Sequence, residues 1–182
     1  MRVQRTDLEG VWIVEPKVIA DERGYFMESF SERDFEAQTS VKVHFVQDNE
    51  SRSRKGVLRG LHFQKEPYAQ AKLVRVTQGR VLDVAVDIRP ESPTFGRYVA
   101  VELSAANHRQ IFIPKGFAHG YVVLEDDTVF QYKCDEYYHP EAEDGIAWND
   151  PQIAIDWGVA EEEITLSAKD QNRPFLKDVC EF

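Results

Sequence analysis

The sequence lacks the features that mark a membrane protein or a disulfide-rich secreted protein. Only two cysteines, Cys134 and Cys180, occur among 182 residues, without a CxxC spacing, which is ordinary for a reducing compartment. The longest apolar runs, such as 121–124, are far too short to span a bilayer, and the first residues contain no charged segment followed by an apolar one. We therefore expect a cytoplasmic protein with no membrane partner.

Positive charge is also scarce. The chain carries 22 lysine and arginine residues against 32 acidic residues, a formal net charge of −10 at pH 7. Because such a field repels polyanions, we expect no nucleic-acid partner, and an anionic ligand would need a local basic cluster. Arg52, Arg54, Lys55 and Arg59 form one such cluster in the sequence, but the same run is equally compatible with a solvated loop.

Internal repeats, low-complexity segments and Pro/Gly/Ser linkers are missing as well, so residues 1–182 are predicted to form one domain. Apolar residues mostly recur at every second position, the period of a β-strand. In 80–88, for example, Leu82, Val84 and Val86 share one face while Asp83 points the other way. The pattern predicts nine strands: 11–18, 25–30, 41–48, 57–64, 72–77, 80–88, 98–103, 118–124 and 128–134.

Helix signals are few by comparison. Ser31 is an N-cap candidate before the run ERDFEAQ, and the acidic residues 161–163 favour a helix N-terminus after Val159. The short strands are separated by turn residues at regular intervals, a pattern typical of sandwiches and barrels. We therefore predict an all-β antiparallel jelly roll with a few short peripheral helices.

Two of the histidines lie in or beside mostly apolar strand segments, which makes them candidates for proton transfer. His62 belongs to the mostly apolar run 56–64, and His119 follows a strand entrance at 114–118. Histidine is the side chain most easily poised for proton transfer near neutral pH. The alternative for each is a hydrogen-bonded residue of the core or its rim.

A metal site is a rival interpretation of the same histidines. The spacing Pro114-x-Gly116-x-x-His119 resembles the second metal-ligand motif of the cupin jelly rolls. Metal-binding cupins usually supply an HxH pair and a carboxylate as well, but Gln64 stands two residues after His62, and an amide is a poor ligand for a catalytic transition metal. Because fewer than three plausible ligands remain, we expect no metal. A metal-dependent cupin oxygenase or isomerase built around His119 is the alternative.

Three further polar side chains stand out against their surroundings. Tyr132 shares a strand face with Phe130, so its phenol points inward if that face is buried. Lys72 lies on an otherwise apolar face of 72–77, and Asp170 lies in a polar loop near the end of the chain. Each also has an ordinary structural explanation: a core tyrosine, a packed lysine stem with a solvated ammonium, and a solvated carboxylate.

Several ordered blocks carry a resemblance to a known family. They are GVLRGLHFQ (56–64), KLVR (72–75), GRVLDVAVDIR (79–89), SPTFG (92–96), PKGFAHG (114–120), WNDP (148–151) and SAKD (167–170). Together they closely resemble the dTDP-4-dehydrorhamnose 3,5-epimerase family over nearly the whole chain. Blocks in consistent order and spacing are much harder to reach by chance than one short motif.

The resemblance implies a cupin-like β-sandwich or barrel that acts as an isomerase. It implies inversion of C3 and C5 of dTDP-4-dehydro-6-deoxy-D-glucose to give dTDP-4-dehydro-L-rhamnose, in dTDP-rhamnose biosynthesis. It also implies a homodimer and no cofactor, and the absence of a Gly-rich dinucleotide fingerprint agrees with that expectation. Two other functions stay open: a relative that epimerises C3 or C5 only, and a noncatalytic nucleotide-sugar-binding cupin.

The resemblance further implies roles for individual residues. His62 would be the general base, and Asp170 would orient its imidazole. Tyr132 would donate a proton on the opposite face of the sugar, and Lys72 would stabilise the enolate. Tyr138 would stack on the thymine. The other residues that would bind sugar and diphosphate are Arg23, Glu28, Gln47, Asn49, Arg59, His119, Glu143 and Lys169.

One geometric difficulty concerns Arg59. Strict alternation from His62 places Arg59 on the opposite face of the strand, so both reach one pocket only if the strand is kinked near Gly60. Otherwise Arg59 would serve the neighbouring subunit. The run 11–18 is our candidate for contact with that subunit, because an exposed strand edge needs a partner.

Overall fold

The computed structural model describes residues 1–179, in which thirteen β-strands and one α-helix are found. The strands are β1 (Arg2–Arg5), β2 (Trp12–Glu15), β3 (Val18–Asp21), β4 (Gly24–Met27), β5 (Gln47–Ser53), β6 (Leu58–Gln64), β7 (Lys72–Gln78), β8 (Arg80–Asp87), β9 (Tyr98–Ser104), β10 (Gln110–Ile113), β11 (Phe117–Val123), β12 (Thr128–Cys134) and β13 (Glu143–Gly145). The helix is α1 (Glu32–Thr39), and single 3-10 turns occur at Glu161–Glu163, Asp170–Asn172 and Leu176–Asp178.

Two antiparallel sheets build the fold. One has six strands in the order β1-β2-β10-β7-β12-β5, and the other has five in the order β13-β6-β11-β8-β9. Strands β3 and β4 form a separate hairpin. The predicted antiparallel jelly roll is confirmed.

The five-stranded sheet is buried on both faces at its centre, along β11 and most of β8. Its inner face packs on the six-stranded sheet through a core that includes Ala85 and Phe130. Its outer face is covered by the C-terminal part of the chain, where Trp157 and Leu176 pack against Val84. Alternation in these central strands therefore does not separate core from solvent, and Asp83 is as fully buried as its apolar neighbours.

The first predicted helix is confirmed as α1. Ser31 adopts an extended conformation at the N-cap, and its side chain accepts a hydrogen bond from the Asp34 backbone N–H at 3.3 Å. The second is reduced to one 3-10 turn at Glu161–Glu163, which buries no side chain. Without an apolar face to pack, so short a segment gains too little to extend.

The predicted strand 41–48 is wrong over most of its length. Residues 41–46 form no strand, and β5 begins only at Gln47. Val41, Val43 and Phe45 alternate because they pack on the cluster around Phe35 of α1, without a neighbouring strand to bond. The basic residue Arg52, thought to lie in a possible loop, is in β5 instead.

The N-terminal strands also differ from the prediction. The predicted strand 11–18 is shortened to β2 (Trp12–Glu15), and only its last residue, Val18, belongs to β3. The rest of β3 was not predicted. It pairs with β4 in a hairpin whose residues are mostly exposed. Strands β1, β10 and β13 were not predicted. The four residues of β10 are all buried, so they show no alternation to detect.

Cys134 is a buried free cysteine, whereas Cys180 lies outside the described residues. In the described residues no helix is long and apolar enough to cross a membrane.

Candidate active site

A cavity of about 640 Å³ lies between the two sheets. His62 on β6 and His119 on β11 line it from the five-stranded sheet, whereas Lys72 on β7 and Tyr132 on β12 line it from the six-stranded sheet. Asp170 closes one side. The two histidines therefore face the lysine and the tyrosine across the cavity.

His62 and Asp170 form a close pair. The His62 Nε2 lies 2.5 Å from the Asp170 Oδ1, and the side chains are 33% and 4% exposed, respectively. The backbone N–H of Asp170 donates to the Ser167 Oγ at 3.1 Å, which fixes the 3-10 turn that carries the carboxylate. Burial opposes ionisation of Asp170, but its hydrogen bonds with His62 and Ser167 hold its pKa below the ordinary value.

His119 forms a second pair, with Asp83 of β8. The His119 Nε2 lies 2.9 and 3.1 Å from the two carboxylate oxygens, and both side chains are buried. Burial lowers the pKa of His119 despite the attraction of Asp83. The imidazole is thus held neutral and oriented at the cavity wall.

Lys72 is a partly buried cation in this cavity. Its Nζ lies 6.0 Å from the centre of the Tyr132 ring and makes no ion pair with a residue in 1–179. Burial lowers the pKa of the ammonium, and the negative charges of Asp83 and Glu143 partly offset the shift. A donor in this position is suited to an anionic oxygen of a ligand.

Tyr132 is the other polar group on the six-stranded wall. Its ring packs against Phe130, with the ring centres 6.0 Å apart. Burial raises the pKa of the phenol to about 12, so the hydroxyl keeps its proton throughout the physiological range. It can therefore act as a proton donor from the side opposite His62.

Arg59 and His62 reach the same cavity because β6 is kinked. His62 pairs with His119, but Arg59 pairs with Tyr121, so the register between β6 and β11 shifts within this stretch. Gly60 lies in the kink with φ of +128°, and a Cβ there would lie 2.5 Å from the Gly120 Cα. Of the two alternatives for Arg59, the structure has the kink near Gly60, and only glycine fits there.

The basic cluster predicted at 52–59 does not converge. Arg52 pairs with Asp127 at 2.6 Å and Lys55 with Glu163 at 3.6 Å, all at exposed positions. Arg59 is the member of the cluster that lines the cavity, where its Nη2 donates to the Ser53 Oγ at 3.2 Å.

Glu143 is the centre of a polar network at the cavity mouth. Its carboxylate accepts hydrogen bonds from the Tyr138 hydroxyl at 2.5 Å, and it pairs with Lys169 at 2.6 Å and Arg173 at 2.8 Å. Burial opposes ionisation of Glu143, but Lys169 and Tyr138 hold its pKa below the ordinary value. Two other predicted ligand-binding residues, Tyr138 and Lys169, therefore meet at the carboxylate of Glu143.

Gln47 and Asn49 lie on the same face of β5, as their spacing implies. The Gln47 Nε2 donates to the Asn49 Oδ1 at 3.1 Å. Asn49 lines the cavity, and Gln47 lies behind it, where its Oε1 accepts from the Tyr138 backbone N–H at 3.0 Å.

Besides Gln47, two predicted residues do not line the cavity of their own chain. Arg23 belongs to the turn of the β3–β4 hairpin, where its 85% exposed side chain bonds to Asp21. Glu28 follows the hairpin and is also exposed. Neither lines the cavity that contains His62.

Sequence reasoning missed two charged residues of the site. Asp83 was noted only for facing away from Leu82, and an acid on an apolar strand was the one available signal. The Arg173 side chain is 9% exposed and pairs with Glu143, but nothing in its sequence context points to that contact. In the described part of the chain no group of three or more His, Cys, Asp or Glu side chains is arranged to hold a metal ion.

The two-sheet fold and a cavity with an imidazole–carboxylate pair opposite a phenol define a cupin-like jelly-roll enzyme suited to acid–base chemistry. The family model described as dTDP-4-dehydrorhamnose 3,5-epimerase matches residues 5–178. The chain belongs to this family. The enzyme of that name from Escherichia coli K12 is 58% identical over 171 residues, which cover 94% of this chain and 92% of the relative.

Solved structures of high similarity share the whole fold. The crystal structure of dTDP-4-dehydrorhamnose 3,5-epimerase from Elizabethkingia anophelis has a TM-score of 0.96 and 51% identity, covering 100% of this chain and 99% of the other. A 3,5-epimerase from Legionella pneumophila was solved in complex with dTDP-4-keto-L-rhamnose. It has a TM-score of 0.94 and 51% identity, covering 98% and 94%.

Proposed function

We propose that the protein inverts C3 and C5 of dTDP-4-dehydro-6-deoxy-D-glucose to give dTDP-4-dehydro-L-rhamnose in dTDP-rhamnose biosynthesis. One observation carries the proposal: the His62–Asp170 pair and the Tyr132 phenol line opposite walls of a single cavity that also contains Lys72. Family membership and the keto-rhamnose ligand of the Legionella relative support the choice of substrate.

The reaction requires a base and an acid on opposite faces of the sugar. A hydrogen next to a ketone is a weak acid, so its removal needs stabilisation of the enolate oxygen that forms. His62 takes the proton, and the Lys72 ammonium stabilises the enolate. Tyr132 then donates a proton to the same carbon from the other face, which inverts it.

Asp170 supports the base. In accepting the sugar proton, His62 becomes an imidazolium beside the buried carboxylate of Asp170, and the attraction between the two charges favours this state. Exchange with water afterwards returns the proton to Tyr132 and removes one from His62. The two groups are then ready for the second carbon.

The nucleotide end of the substrate is assigned to the cavity mouth. Arg59 and Lys169 carry positive charge for the diphosphate, and Tyr138 offers an exposed ring for the thymine. Gln47, Asn49 and Glu143 complete this region, whereas His119 is assigned to the sugar because it lines the buried wall beside His62.

We also propose a homodimer in which the β3–β4 hairpin contacts the partner subunit. The hairpin exposes Ile19, Tyr25 and Phe26, the last at 70%, and exposed apolar groups this close together mark an interaction surface. Arg23 and Glu28 lie on or beside it, so dimerisation would bring these two predicted residues toward the cavity of the partner. Phe26→Asp should convert the dimer to a monomer in sedimentation analysis and lower turnover; a wild-type monomer would contradict the proposal.

Isotope exchange tests the chemistry directly. With dTDP-4-dehydro-6-deoxy-D-glucose in D₂O, we expect NMR to detect deuterium at both C3 and C5, because each inversion replaces a carbon-bound hydrogen with one derived from solvent. His62→Ala is the control and should slow exchange by about 10³-fold or more. Label at one carbon would identify a single-carbon epimerase, and label at neither, with retained dTDP binding, would identify a noncatalytic binding protein.

A further inference from the structure

Gln64 occupies the position two residues after the proposed base, yet its side chain bonds to backbone rather than to other side chains. It is buried, and its Nε2 donates to the carbonyl oxygens of Tyr68 at 2.7 Å and Tyr137 at 3.1 Å. Its Oε1 accepts from the His139 backbone N–H at 2.7 Å. One amide group thus holds a carbonyl and an N–H of the same loop, 137–139.

Two other glutamines bond to the same loop. The Gln70 Nε2 donates to the carbonyl oxygens of Glu136 at 2.8 Å and Tyr137 at 3.2 Å. The Gln47 Oε1 accepts from the Tyr138 backbone N–H at 3.0 Å. Every residue from 136 to 139 therefore has a backbone group bonded to a glutamine side chain.

The loop needs this support because the Tyr138 side chain that it carries makes few contacts. Tyr138 is 51% exposed, and its hydroxyl bonds only to Glu143 among the described residues. Fixing the backbone of a loop costs conformational entropy. If the folded protein has already met that cost, a ligand that contacts Tyr138 binds more tightly.

We propose that Gln64 is a positioning residue that fixes the 136–139 loop in the shape that receives the nucleotide base, with Gln70 as a second support. The inference rests on the proposed function, because it requires Tyr138 to contact the thymine. Gln64 therefore contributes to nucleotide affinity and not to the proton transfers at the sugar.

The test uses Gln64→Ala in the full chain, with dTDP as the probe in calorimetric titrations and steady-state kinetics on the dTDP-keto sugar. We expect the dTDP Kd and the KM to rise about tenfold, the effect of roughly one well-formed hydrogen bond lost, while kcat changes less than twofold. A merely structural defect would lower the active fraction, and hence kcat, at unchanged Kd.

Asn107→Ala is a matched control. The Asn107 amide also bonds to three backbone groups, at Ser104, Arg109 and Glu102, but in the β9–β10 turn away from the cavity. It should lower thermal stability to a similar extent without changing the dTDP Kd.

Gln70→Ala keeps the proposal testable if Gln64→Ala does not fold, since Gln70 is only partly buried. We expect a smaller rise in Kd, about threefold, because Tyr137 retains its bond from Gln64. Unchanged Kd in the glutamine variants, or an equal loss in Asn107→Ala, would overturn the inference. A wild-type protein that neither binds dTDP nor turns over would instead refute the proposed function.

Discussion

Two histidines on one wall of the cavity each pair with an aspartate, and the two pairs are built differently. His62 and His119 are direct neighbours across β6 and β11. The partner of His62 is Asp170, in a turn 108 residues away, and the imidazole is 33% exposed. The partner of His119 is Asp83 on the adjacent strand, and that imidazole is 8% exposed.

The difference in exposure separates their chemistry. A base must be able to carry the proton it removes, and His62 has both an ionised partner and access to the cavity. His119 is more deeply buried, and desolvation lowers its pKa, so it favours the neutral form. The same two residue types thus give a candidate base in one place and a fixed neutral hydrogen-bonding group in the other.

The largest expected effect comes from exchanging each carboxylate for its amide. Asp170→Asn should lower kcat on the order of 10²- to 10³-fold, because an amide cannot stabilise the imidazolium of His62. Asp83→Asn should lower kcat less than tenfold but should reduce the free energy of unfolding by about 1–3 kcal/mol, because it disrupts a fully buried hydrogen-bonded pair.

Steady-state kinetics measures the loss of kcat in each variant, and denaturant unfolding measures the loss of stability. Asn in place of either aspartate preserves side-chain volume, so each variant is the control for the other. If Asp83→Asn lost as much turnover as Asp170→Asn, the assignment of the base to His62 would be wrong.

A smaller effect should appear in the pH dependence of stability. Because the folded-state pKa of His119 lies below its ordinary value of 6.5, the unfolded chain binds more protons between those two values. Stability is therefore expected to fall as pH decreases below 6.5, by at most about 1.4 kcal/mol per pH unit from this group. His119→Gln should reduce the slope in thermal melts between pH 5 and 7.5; an unchanged slope would show that His119 does not contribute.

Local patterns sufficed for much of the fold. The cap at Ser31 and the strands that became β6, β7, β8 and β12 follow from alternation and turn residues. Alternation did not predict strands correctly where burial had another cause than a half-exposed strand. Residues 41–46 alternate because they pack beside α1, and β10 does not alternate because all of it is buried.

The candidate site was predictable only through the resemblance. The residues themselves gave each polar side chain an ordinary alternative, since a lone histidine or lysine in a strand usually has a structural role. Asp83 and Arg173 had no signal strong enough to single them out, because what makes them important is a partner far away in the sequence.

The sequence by itself determined an antiparallel β-protein, a glycine at position 60 where β6 can kink, and membership of a family whose motif blocks it carries in order. Only the tertiary structure decided which carboxylate meets which imidazole, and that the phenol faces them from the other sheet. The physical reason is that strand periodicity is a local property, whereas these contacts join residues up to 108 positions apart. Such contacts form only when both sheets have packed.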